Sequence, residues 1–186
     1  MHKKALARYG LSVMLMGFGF IGMLLAEGFV TREEALAAAF PEAKIRSETL
    51  FLTQTQQKEA TALSGVQIPT AMIARYIASK DGTVLGRAYL DTHIVRTKKE
   101  SLLIILDASG ILLRIEATAS AEGPEHQAPP AWYRQYEGKQ LSDDLHINRA
   151  IRPIAGATLT ARATNQAVRR ILAIDRILSG RQENSQ

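Results

Sequence analysis

The chain has 186 residues, 23 Lys and Arg against 18 Asp and Glu, a net charge of +5 and no cysteine. That length suits one domain with its own core and a short appendage, and the missing cysteine excludes structural disulfides, thiolate metal sites, iron–sulfur clusters and thioether haem attachment. The basic residues are interleaved with acids and not massed with aromatics, so nucleic acid is not an expected partner.

From Gly10 to Ala26 no residue is charged, and apolar side chains fall on every face. Lys3, Lys4 and Arg8 precede this run; Glu27, Glu33 and Glu34 follow it. The pattern predicts a basic cytoplasmic N-terminus over 1–8 and a single transmembrane anchor over 9–29, with the remainder facing outward by the positive-inside tendency. A cleaved signal peptide has the same charged start and apolar core, but Leu24 at the minus-three position of a cut after Ala26 fits the small-residue rule poorly. Gly17, Gly19 and Gly22 spell the dinucleotide-binding pattern G-x-G-x-x-G. Lying inside the apolar run, without the strand and helix that the pattern needs, they suit helix packing instead.

Thr31 and Glu34 form a capping box for a helix from Arg32 to about Phe40, stopped by Pro41. A second helix is expected from Thr53 to Leu63, with Leu50-Phe51-Leu52 a short strand between the two. From Ala71 the period changes to that of strands. Ala71–Ala78 and Thr83–Leu90 flank the turn Lys80-Asp81-Gly82, with His93–Thr97 as a continuation or edge segment. Ser101–Leu106 is apolar throughout, and Asp107–Gly110 turns it into Ile111–Thr118, where Leu113, Ile115 and Ala117 alternate with Arg114, Glu116 and Thr118. The fold class expected is α+β: an antiparallel sheet of about four strands covered by helices, within one domain over 30–180, followed by a disordered tail over 181–186.

Ala119–Pro130 is a loop rich in Gly, Pro, Glu and His. Trp132, Tyr133 and Tyr136 then bring aromatics before Gly138-Lys139. The last helix follows Ile151–Thr160 and carries Ala163, Ala167, Ile171, Ile174 and Leu178 on one stripe, widened by Val168 and Leu172. Arg162, Arg169, Arg170, Arg176 and Arg181 lie mostly off that stripe and read as a solvated basic face. Gly180 is expected to end the helix. His2, His93, His126 and His146 are isolated, with no metal-ligand spacing, and no serine has a nucleophile context. Neither metal chemistry nor hydrolysis is implied.

The stretch Ala155-Gly156-Ala157-Thr158-Leu159-Thr160, directly before that helix, has the parts of a phosphate site. Small residues admit close backbone approach, the threonine hydroxyls can cap, and free amides with the helix dipole favour an anion. Gly156-Ala157-Thr158 near the C-terminus resembles the FMN-binding domain family, known from the G subunit of the Rnf electron-transport complex and the C subunit of sodium-translocating NADH:quinone reductase. A more diffuse likeness extends from about Ala71 to Leu178. The family motif reads Asp-Gly-x-Ser/Thr-Gly-Ala-Thr, and its last threonine carries FMN by a phosphoester. The resemblance makes Thr158 the acceptor, with Gly156, Ala157, Leu159, Thr160 and Ala155 around it and Trp132 a candidate to stack on the flavin. Two positions depart from the motif: Arg152 replaces Asp, and Ala155 replaces Ser or Thr.

The resemblance implies a membrane-anchored flavin electron carrier on the outer side of a bacterial inner membrane. Its partners would be other subunits of a redox complex and the flavin transferase that modifies Thr158. Arg152 and Ala155 favour a different reading, a structural subunit with a degenerate domain and no flavin. A third is a soluble periplasmic ligand-binding domain released by signal cleavage.

Overall fold

A computed structural model describes residues 29–183. The expected anchor, apart from Phe29, and the last three residues of the expected tail lie outside this range. Among the described residues no helix is long and apolar enough to cross a membrane.

The elements run α1 (Arg32–Ala39), β1 (Lys44–Phe51), α2 (Gln54–Ser64), β2 (Met72–Lys80), β3 (Thr83–Val95), β4 (Lys98–Asp107), β5 (Leu112–Ser120), a short α3 (Pro130–Tyr133) and α4 (Thr158–Glu183). The strands form one antiparallel sheet in chain order. The fold is therefore the expected α+β, with five strands instead of about four. The additional strand is β1, an edge strand whose half-polar sequence KIRSETLF buries little, so it lacks the strong apolar signal that marks the inner strands.

The predicted capping box forms on α1 between Thr31 and Glu34, and α2 carries a second one, between Thr53 and Gln56, that was not expected. Strand alternation then divides the core between two faces. Leu102, Ile104, Leu106 and Tyr89 pack with Ile171, Leu172 and Ile174 of α4; Leu103, Ile105, Ala88, Tyr76 and Ala78 pack beneath Leu36 of α1 and Phe40, which caps its end. Gly86 is required by this second layer, since a Cβ there would lie 2.4 Å from the Leu106 carbonyl and 2.6 Å from the Phe40 ring.

Two expectations for α4 are corrected. The helix does not stop at Gly180 but continues to Glu183. Arg169 and Arg170 are not solvated: they are 5% and 7% exposed. Each has the partners that a buried cation needs. The Arg169 guanidinium donates to the carbonyls of Ser64 and Ser142, both at 2.7 Å, and Arg170 grips Asp91 with two bonds of 2.9 and 3.0 Å. Arg162 and Arg176 remain exposed.

Candidate functional site

Four residues before α4 form a turn, with the Ala157 amide donating to the Ile154 carbonyl at 3.3 Å. Gly156 sits at φ +77°, a left-handed conformation that glycine adopts without steric cost. The chain then enters the helix, and the Ala157 carbonyl accepts the first helical bond from Ala161 at 3.0 Å. Ala157 is thus the capping position. It has no side-chain acceptor, so the amides of Thr158, Leu159 and Thr160 point out of the helix start uncapped. No acidic residue occupies the first turn, leaving the positive end of the helix dipole without a local counter-charge.

The predicted residues divide there. Thr158, Leu159, Ala155 and Gly156 are exposed, whereas Ala157 and Thr160 are buried. The Thr160 hydroxyl turns inward and donates to the His126 carbonyl at 2.5 Å, so the side chain ties the loop to α4 and only its amide remains at the helix start. The Thr158 hydroxyl makes no hydrogen bond among the described residues. Arg152 is exposed, and its guanidinium has no ion pair among them. Its backbone is held on both sides: the Trp132 Nε1–H donates to its carbonyl at 2.8 Å, and its amide donates to Gln135 at 2.9 Å.

Trp132 is therefore brought to the strand-like segment that leads into the Gly156 turn, although 20 residues separate it from Arg152. It lies edge-on to Tyr133 and Tyr136, with ring centroids 5.7 and 5.5 Å away. That aromatic cluster fixes the indole from one side.

The loop tied down by Thr160 carries further polar atoms without partners. Glu122 Oε1, His126 Nδ1, Tyr133 Oη and Thr164 Oγ1 are buried and make no hydrogen bond. They come from the two segments that meet at the Thr160–His126 contact. Four such atoms in one region are unusual for a finished core, where buried polar groups are nearly always paired. Beside them is a groove of about 320 Å³, lined by Glu100, Ala117, Gln127, Ala128, Pro130 and Tyr133 among others.

Glu100 connects this groove to a buried charge network that sequence reading missed. His93, expected to be isolated, lies between two acids: its Nδ1 is 2.9 Å from Asp91 and its Nε2 is 3.2 Å from Glu100. Burial pushes His93 toward the neutral form, but the bonds to Asp91 and Glu100 outweigh it and raise its pKa to about 9. Burial likewise works against the Asp91 charge, and the bond from His93 and the Arg170 charge overcome it, so its pKa falls below the ordinary carboxylate value. The network thus stores a proton on His93 beneath the groove. The period-2 spacing of Asp91 and His93 on one strand was the available signal, since it puts both on the same face. The pairing with Glu100 depends on the β3–β4 register, which places Glu100 directly opposite His93.

A second buried cluster is architectural. Asp175 of α4 accepts from Arg87 at 2.6 and 3.0 Å and from the Tyr89 hydroxyl at 2.7 Å. Together with the Arg170–Asp91 pair it locks α4 along β3. The N-terminal end of α4 consequently projects toward the Val95 end of β3, where the loop and groove lie. Among the described residues no group of acids and histidines is arranged to hold a metal ion.

No known protein family, curated protein or solved structure matches the chain.

Proposed function

We propose that the protein is a membrane-anchored flavin carrier that holds FMN by its phosphate at the start of α4, within or beside a membrane redox complex on the outer side of the inner membrane. The observation that carries this reading is the uncapped helix start: three free amides, a left-handed Gly156 turn and an exposed Thr158 hydroxyl, with no acid in the first turn. An anion is the group that such an arrangement stabilises. The residues fit FMN. Thr158 would carry or contact the phosphate, and the amides of Thr158, Leu159 and Thr160 would neutralise it. Ala155 and Gly156 leave the approach open, since neither presents a side chain larger than a methyl group. The neighbouring groove, with Ala117, Ala128, Pro130 and Tyr133 on its walls, offers apolar cover for a planar ring, and Trp132 is tied to the segment before the turn. Bound FMN would supply one- and two-electron chemistry, while the protein would supply position, shielding and the local field.

A second reading is a structural subunit of the same kind of complex without flavin. Arg152 and Ala155 favour it, because both stand where the flavin-carrying motif has other residues, and so does the engagement of the Thr160 hydroxyl with His126. Intact mass and the visible spectrum separate the two. Expressed in a host with a flavin transferase, the wild-type chain should be yellow and heavier by one FMN less one water, and Thr158→Ala should be colourless and unmodified. A colourless, unmodified wild-type chain would favour the structural subunit.

A further inference from the structure

The end of the domain that carries the Arg96-Thr97 turn gathers exposed apolar side chains from separate elements. Phe51 of β1 and Met72 of β2 are cross-strand partners, 74% and 58% exposed. Ile94 of β3 is on the same sheet face and is 55% exposed. These side chains lie on the face that α1 covers, past the area that Leu36 and Phe40 reach. Leu159, in the first turn of α4, is exposed at the same end, since the pairs Arg170–Asp91 and Arg87–Asp175 orient the helix start that way.

Charge accompanies the apolar surface. Arg96, Lys98 and Lys99 are exposed around the β3–β4 turn and make no ion pair among the described residues. Of the acids nearby, Glu100 is engaged with His93 and Glu125 lies against His126, while Glu122 is buried with one oxygen unpaired. Arg96 also holds φ +55°, a conformation that Gly or Asn adopts more readily.

The chain itself approaches from this end. Phe29 and Val30 line the groove with Glu100, Ala128 and Pro130, and α1 runs from them toward Phe40 against Gly86. The uncharged apolar run ends at Ala26, so at most about 10 Å of chain links it to Phe29.

We propose that this end is a docking surface for an anionic lipid bilayer: Phe51, Met72 and Ile94 enter the interfacial layer, and Arg96, Lys98 and Lys99 engage anionic headgroups. The proposal rests on the anchor in the functional reading above but not on the flavin. Apolar side chains flanked by unpaired cations are the composition that such a surface selects, and the short link keeps the domain within reach of it. The helix start with Thr158 would then face the membrane side, and its electron partner would be sought in or at the bilayer.

The absence of native cysteine permits single reporters in the full chain. Ile94→Cys, Phe51→Cys and, at the opposite end, Val84→Cys would each be labelled with an environment-sensitive fluorophore and reconstituted in vesicles of phosphatidylcholine with or without phosphatidylglycerol. Spin-labelled lipid should quench the Ile94 and Phe51 probes in the anionic vesicles and leave Val84 unaffected. Arg96→Gln/Lys98→Gln/Lys99→Gln should lower the ratio of docked to free domain by about 100-fold, roughly fivefold per charge, and bring the Ile94 probe to the Val84 level. Equal quenching in the two lipid compositions would overturn the headgroup contact. An unquenched Ile94 probe in a chain that stays with carbonate-washed membranes would overturn the surface while leaving the anchor intact, and would direct attention to a protein partner. Release of the chain by carbonate would overturn the anchor and this proposal together. None of these outcomes depends on flavin content.

Discussion

The buried histidine makes the stability of this domain depend on pH in a stated direction. His93 has an ordinary pKa of 6.5 and holds its proton to about 9 in the fold. Between those values the folded chain binds a proton that the unfolded chain has released, so stability must fall as pH rises. The contribution is complete below pH 6.5 and gone above about 9. The difference between 6.5 and about 9 corresponds to roughly 3 kcal/mol at 1.36 kcal/mol per pH unit. That is a sizeable part of the marginal stability of a domain. The perturbation is the double variant His93→Gln/Glu100→Gln, which keeps side-chain volume near the groove and replaces a proton-dependent ion pair by two amides. Removing His93 alone would leave Glu100, 1% exposed, without its charged partner and add the cost of an unpaired buried acid to the result. Urea denaturation of the full chain in detergent micelles, followed by far-ultraviolet circular dichroism at pH 6.5, 7.5 and 9, measures the slope. Wild type should lose on the order of 3 kcal/mol across that window, and the double variant less than about 1 kcal/mol. A wild-type slope retained in the double variant would refute the assignment of the proton to His93.

Other substitutions test the frame around the site. Asp175→Asn leaves the Arg87 guanidinium buried without its carboxylate and should cost about 3–5 kcal/mol in thermal unfolding; a loss below about 1 kcal/mol would deny this cluster its role in holding α4. Gly156→Val forces a β-branched residue to φ +77°, which should cost about 1–3 kcal/mol and reduce flavin incorporation in the mass spectrum; unchanged incorporation would show that the turn is not needed. Trp132→Phe keeps an aromatic ring but removes the bond to the Arg152 carbonyl, and about 1 kcal/mol of destabilisation by urea titration is expected. No measurable change would mean that the indole does not anchor the segment before the turn.

How much of this was legible in the sequence depends on how local the signal is. The Thr31 cap acts within four residues, the unbroken apolar run Ser101–Leu106 marks β4 because both of its faces are buried, and the alternation of Ile115 and Ala117 with Arg114 and Glu116 marks β5. His93–Thr97, expected as a continuation or edge, divides between the end of β3 and the turn, and Lys98-Lys99-Glu100 begins β4. The sequence could not decide this, since a two-residue turn of Arg96-Thr97 lacks the glycine that usually marks one. β1 was seen only at its apolar end, Leu50-Phe51. At the site, the order Gly156-Ala157-Thr158 before a helix was plain, but the inward turn of Thr160 was not, because its partner is a carbonyl 34 residues away. Arg169 and Arg170 read as surface for the same reason. Their acceptors come from α2, β3 and the 142–145 segment, and helical periodicity contains no information about partners on other elements.

The central claim is that the phosphate of FMN is held at Thr158. Peptide mapping tests it most directly. Cleavage by trypsin after Arg149 and Arg162, with Arg152 protected by Pro153, isolates one peptide that contains both Thr158 and Thr160. Fragmentation of that peptide from the yellow full-length chain should place the added FMN on Thr158, whose hydroxyl is exposed, and leave Thr160 bare. The modification on Thr160, on another peptide, or on none in a host that flavinylates a control protein would contradict the account.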